Sequence, residues 1–163
     1  MSFSKVGVVG TGVIGEALIG SLLRIGIPKE SILIAEKRDE RKGEILQKYG
    51  VAKLESIESV DIVLLAVKPQ DLVTTIGEWG TNNQSLPLIV SFAAGIKISA
   101  IETVLGNKTR VVRVMPNTPT LIGKGMAGYS LSAGVTDAQK KFVQSLLAAT
   151  GKAIEIPEDL QNA

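Results

Sequence analysis

Apolar and polar positions follow two alternating periods along this chain, and each switch of period marks an element. Lys5 to Val9 is a short apolar run that reads as a buried strand. Ile14, Ala17, Leu18, Ser21, Leu22 and Ile25 then share one helical face, and Gly26 and Pro28 end that helix. Ser31 to Glu36 reads as a second strand. A charged helix follows from about Asp39 to Tyr49, closed by Gly50, with a short third strand at Val51 to Leu54.

The segment Asp61 to Val67 (DIVLLAV) has too few polar positions for a half-exposed strand. It is predicted to be buried on both faces, as in a parallel sheet covered by helices on each side. Lys68-Pro69 stops it, and a helix runs from about Gln70 to Trp79. Leu86 to Phe92 and Arg110 to Met115 are further strands. Between them Ser99 and Glu102 have the spacing of a capping box before a short helix that Gly106 closes. Met126 to Leu131 alternates weakly and is expected to be an antiparallel edge strand. Thr136 and Gln139 form a second capping box, ahead of a helix bearing Phe142, Val143, Leu146 and Leu147, and Ala153 to Ile156 is the last strand. Such alternation predicts an α/β doubly wound fold, with a mostly parallel sheet and helices on both faces. Ligands of such folds sit beyond the carboxyl ends of the strands, so the residues just after each strand carry the chemistry.

Composition narrows the chemistry by subtraction. The 163 residues suit one domain, and 45% apolar content can fill a core. A formal charge of +2 gives no reason to expect nucleic acid or an anionic membrane as partner. Without Cys there are no disulfides or thiolate sites. Without His there is no Ser-His-Asp triad, and no metal site is expected. Val6 to Val9 is too short for a signal peptide, and the apolar run Ile62 to Val67 is far below a membrane span. The expected location is the cytoplasm.

Five strand-end motifs stand out. Gly10-Thr11-Gly12-Val13-Ile14-Gly15 follows a strand and opens a helix, the context that a dinucleotide fingerprint requires. Gly10 permits the tight turn, Gly12 lets backbone N–H groups reach a pyrophosphate, and Gly15 lets the helix pack close to the strand. The same glycines have P-loop spacing, but Glu16 stands where a P-loop needs Lys and would repel a phosphate. Glu36-Lys37-Arg38 closes the second strand. An acid there binds a ribose diol and favours NAD, whereas Lys37 and Arg38 could pair with a 2′-phosphate and favour NADP. If Glu36 points in, NAD wins; if it points away, NADP wins. A solvated charged turn is the plainer reading. Ala66-Val67-Lys68-Pro69 forms a rigid turn that could lie along a ribose or simply end a strand. Ala93-Ala94-Gly95 buries little and suits close approach of backbone to a ligand, or tight packing. Met115-Pro116-Asn117, within Arg113 to Pro119, holds an amide in a loop fixed by two prolines.

Together GTGVIGEAL from Gly10, AVKPQ from Ala66, SFAAGI from Ser91 and RVMPNTP from Arg113 resemble the N-terminal, Rossmann-type domain of pyrroline-5-carboxylate reductases. The resemblance implies an oxidoreductase of L-proline biosynthesis that reduces a cyclic imine with NADPH or NADH, NADP(H) being the more expected. It places Gly10 to Ile14 on the pyrophosphate, Lys37 and Arg38 near the 2′ position, and Ala66 to Pro69 along the ribose. Ala93 to Gly95 and Met115 to Asn117 then lie on the nicotinamide side. A protonated imine is already electrophilic, which suits a chain without His. Family members continue into a helical domain that forms a homo-oligomer and supplies the substrate site. On that reading residues 1–156 are the NAD(P)-binding domain and 157–163 begin the connection to it. The chain is then a truncated product or a stand-alone cofactor domain. It is expected to bind cofactor but to reduce little pyrroline-5-carboxylate alone, and its catalytic residues stay unidentified. Another NADP-dependent imine or hydroxyacid oxidoreductase of the same fold, or a non-catalytic NADP-binding module, are the alternatives.

Overall fold

The computed structural model describes residues 5–79, 86–116 and 125–162. Eight strands form one sheet: β1 (Val6–Val9), β2 (Ile32–Ala35), β3 (Ala52–Lys53), β4 (Ile62–Leu65), β5 (Leu88–Ser91), β6 (Val111–Pro116), β7 (Gly125–Leu131) and β8 (Gly151–Glu155). Five helices connect them: α1 (Val13–Arg24), α2 (Asp39–Tyr49), α3 (Pro69–Gly77), α4 (Ile98–Leu105) and α5 (Asp137–Ala148). The strand order is β3-β2-β1-β4-β5-β6-β7-β8. Strands β1 to β6 pair in parallel, β7 runs antiparallel to β6, and β8 parallel to β7.

Two cores lie on the two faces of this sheet. Because successive strand residues point to opposite faces, Val8, Leu64, Val90 and Val112 pack on one side with Leu22 of α1, Ile45 of α2 and Leu146 of α5. Val63, Leu65, Ile89 and Val111 pack on the other with Leu72 of α3 and Ile101 of α4. Every residue of β1, β4 and β5 is buried, the two-sided burial predicted for the DIVLLAV segment. Helix α2 has the bounds read from its pattern, and Gly50 closes it in the left-handed region at φ +67°.

Two expectations need correction. Ser99 and Glu102 do not form a capping box, because α4 already begins at Ile98 with Lys97 as its N-cap and no side-chain cap from that residue. The N–H of Ile98 instead donates to the Glu158 carboxylate, 60 residues away, at 2.6 Å. Strand β7 is not an edge, since β8 pairs along its outer side and takes the edge position itself. The capping box at Thr136 and Gln139 is present with both of its hydrogen bonds.

Residues 158–162 form a short 3-10 turn that folds back on the sheet. Glu158 pairs with the buried Arg113 guanidinium at 3.2 Å, and Gln161 donates to the Arg113 carbonyl and to Ser130 Oγ. Among the described residues no helix is long and apolar enough to cross a membrane, and no group of His, Cys, Asp or Glu could hold a metal ion.

Candidate dinucleotide site

The chain leaves β1 toward β2 and β3, then returns to place β4 on the other side of β1. A crevice therefore opens beyond the ends of β1 and β4, the topological switch point of the sheet. A cleft of about 860 Å³ lies there. Its floor is Val9 to Val13, one wall is Ala35 to Arg38, and the other is Ala66 to Lys68.

The Gly-rich turn is closely fixed. Gly10 has φ +88°, and a Cβ added to it would stand 2.9 Å from the Ala66 carbonyl. Its N–H donates to the Ala35 carbonyl at 2.9 Å, tying the turn to β2. A Cβ on Gly15 would collide with the Gly10 carbonyl oxygen, so α1 sits against the turn as only glycine allows. Around Gly12, by contrast, an added Cβ meets nothing within 4 Å, and as the N-cap of α1 this glycine has no side chain with which to cap the helix. Gly12 and Val13 thus line the cleft at the positive end of the α1 dipole, an arrangement that fits a pyrophosphate.

Glu36 points inward. Its carboxylate accepts from the Thr11 N–H at 3.1 Å and from the Thr11 hydroxyl at 2.8 Å. The Arg38 guanidinium bonds it from the rim at 3.1 Å. Burial pushes the Glu36 carboxyl up, but the hydrogen bonds from Arg38 and Thr11 outweigh it and hold its pKa at about 2. Lys37 lines the cleft and is exposed.

Glu16, read from the sequence as a charge that would repel a phosphate, faces α2 instead. Lys48 donates to it at 2.7 Å, Arg41 at 2.7 Å and Tyr49 at 2.8 Å. Those bonds, that from Lys48 foremost, lower its pKa to about 2.

The other expected residues divide. Gly15 packs against Gly10 behind the turn and Pro69 is exposed at the start of α3; neither lines the cleft, and Ile14 is exposed outside it. Ala93, Ala94 and Gly95 lie beyond β5, and Met115 and Pro116 end β6; none of these lines the cleft. Asn117 lies outside the described residues. Sequence reasoning missed the far wall, made by Leu54 to Glu58 after β3 and by Asp71, Thr75, Glu78 and Trp79 of and beyond α3. The i, i+4 spacing of Asp71, Thr75 and Trp79 was the available signal, since it puts three residues on one helical face.

Comparisons with known proteins agree with this geometry. The family described as "NADP oxidoreductase coenzyme F420-dependent" matches residues 5–95. A pyrroline-5-carboxylate reductase of Corynebacterium melassecola is 36% identical over 162 residues, covering 95% of this chain and 60% of that protein. One from Haemophilus influenzae is 32% identical, over 99% of this chain and 60% of its own length. A pyrroline-5-carboxylate reductase structure from Coxiella burnetii superposes with a TM-score of 0.88 at 26% identity, over 98% of this chain and 61% of the other. A Plasmodium falciparum pyrroline carboxylate reductase solved with NADP bound gives 0.77 at 28% identity, over 94% and 58%. Prephenate dehydrogenase from Aquifex aeolicus, at 16% identity and a TM-score of 0.80, shares the fold. The chain spans about 60% of the length of the curated relatives it matches.

Proposed function

The chain belongs to the family described as "NADP oxidoreductase coenzyme F420-dependent", and from that premise we propose that it is the cofactor-binding part of a pyrroline-5-carboxylate reductase. The observation that carries the proposal is the preformed turn at Gly10 to Gly15 at the switch-point cleft, with the N-terminus of α1 lining it and an inward acid beside it. The relatives named above supply the substrate class.

On this reading the backbone at Gly12 and Val13 holds the pyrophosphate, and Glu36 receives the ribose hydroxyls of the adenosine half. Residues 1–156 are the cofactor domain, and residues from 157 onward lead to the part of the relatives that this chain does not span. When bound, the reduced nicotinamide supplies a hydride. The work left to the protein is to hold the two partners in register and to exclude water, which can be worth roughly 7–11 kcal/mol. Ala93 to Gly95 after β5 and Met115 and Pro116 at the end of β6 lie outside the cleft lining, and on this reading they stand on the side to which the nicotinamide would extend. We infer that the enzyme acts in the cytoplasm and on the route to L-proline.

The inward Glu36 supports NAD(H), on the criterion that its direction decides. Arg38 and Lys37 at the rim support NADP(H), provided Arg38 turns from Glu36 to a 2′-phosphate. We infer that the site takes both.

The test is to fuse the chain to the part of the Corynebacterium melassecola reductase that it does not span. Pyrroline-5-carboxylate should then oxidise NADPH, while the 163-residue chain alone should give little turnover. Reduction of a hydroxyacid precursor or another imine in place of pyrroline-5-carboxylate would favour a different oxidoreductase. Cofactor binding with no hydride transfer to any of them would leave a binding module.

A further inference from the structure

Arg41 sits on α2, outside the cleft lining, yet it reaches the Gly-rich turn. Its Nε donates to the Thr11 carbonyl at 2.8 Å. Its remaining nitrogens are held by Glu16 at 2.7 Å and by Glu44 at 3.1 Å, and the side chain is only one-quarter exposed. The guanidinium is thus braced by two carboxylates and offers its third edge to one backbone oxygen.

That oxygen has a partner across its own peptide. The described chain has no cis peptide bond, and in a trans peptide the C=O and the following N–H point in opposite directions. Holding the Thr11 carbonyl toward α2 therefore aims the Gly12 N–H away from α2. The Thr11 N–H on the other side is already taken by Glu36. With both of its polar backbone atoms held, Thr11, which is fully buried, has no freedom to rotate either flanking peptide.

We propose that Arg41 is a positioning residue for cofactor binding: it fixes the Thr11–Gly12 peptide so that the Gly12 N–H meets a pyrophosphate without reorganisation. This rests on the reading of the cleft as a dinucleotide site. Preorganised donors cost nothing to align when the anion arrives. Glu16 acts one step further back, by orienting Arg41.

The experiment compares NADH and NADPH titrations of the wild-type chain, Arg41→Ala and Glu16→Gln, followed by emission of Trp79, the single tryptophan, which lines the cleft. Arg41→Ala should weaken both cofactors about tenfold, with their ratio unchanged. Phosphorus resonances of bound NADH should move in Arg41→Ala at saturation, which a loss of stability alone would not cause. Glu16→Gln should weaken both cofactors by a smaller factor, and this variant carries the test if Arg41→Ala does not fold. A loss confined to NADPH would make Arg41 a ligand of the 2′-phosphate and overturn the proposal. Unchanged affinities in a folded variant would overturn it too. If the wild-type chain binds neither cofactor, the reading of the cleft itself fails.

Discussion

Replacing Gly15 by Ala tests the packing that shapes the turn. The new Cβ would collide with the Gly10 carbonyl oxygen and lie 2.9 Å from the Gly10 carbonyl carbon. Both are backbone atoms, and Gly10 is itself tied to Ala35 and pressed against Ala66. The neighbour cannot rotate away as a side chain would, so α1 must withdraw until a separation of about 3.5 Å is regained. Overpacking of that kind costs up to about 3 kcal/mol. Alanine's better helix propensity returns about 1 kcal/mol, leaving a net loss of about 2 kcal/mol. For a chain of this length that is a fall in Tm of about 4–8 °C. Gly43→Ala is the internal control. That glycine lies inside α2 with nothing within 4 Å of an added Cβ, so the same change there should stabilise by about 1 kcal/mol. Urea unfolding of the three proteins, with an NADH titration of each, gives both quantities. Gly15→Ala should lose cofactor affinity as well as stability. If it proves as stable as Gly43→Ala, the close approach of helix and turn is not what Gly15 provides.

Three further outcomes follow from the same geometry. Glu36→Gln removes the charge that opposes a 2′-phosphate and loosens Arg38, so the NADPH-to-NADH affinity ratio should rise about tenfold, a gain of about 1.4 kcal/mol; an unmoved ratio in paired titrations would refute the role of Glu36. Glu16 and Glu36 have pKa values depressed from 4.5 to about 2. Their contribution to stability is complete above pH 4.5 and is lost as pH falls toward 2, so urea midpoints should drop over that window, less steeply in Glu16→Gln. Glu158→Ala removes both the acceptor of the Ile98 N–H and a partner of buried Arg113; it should cost about 2 kcal/mol, whereas a surface ion pair would cost a fraction of that in the same unfolding assay.

The sheet and its helices were legible because their signals are local. Periodicity within a few residues separates α2 from β4, and glycine ends α2 where a left-handed residue is needed. Features set by distant residues were not legible. The cap of α4 comes from Glu158, which no spacing near Ser99 could reveal. The inner position of β7 depends on where β8 lands after α5. At the cleft, the turns after β1, β2 and β4 could be named in advance, whereas those after β5 and β6 do not line it, and the direction of Glu36, which Thr11 and Arg38 decide together, could not be read. Arg41 was one charge among several on a charged helix and Glu16 only a residue that would repel a phosphate until α2 and α1 were brought side by side. The far wall of the cleft was hidden because it joins α3 to the segment after β3, which meet only in the folded chain.

On the proposed reading the turn at Gly10 to Gly15 binds a nicotinamide dinucleotide. Calorimetric titration of the 163-residue chain with NADH and NADPH at neutral pH, alongside the Lys37→Ala/Arg38→Ala double variant, measures that binding. One site is expected for each cofactor, with the double variant losing affinity for NADPH and keeping it for NADH. Absence of heat from both cofactors, with the chain folded, would show that the turn holds neither.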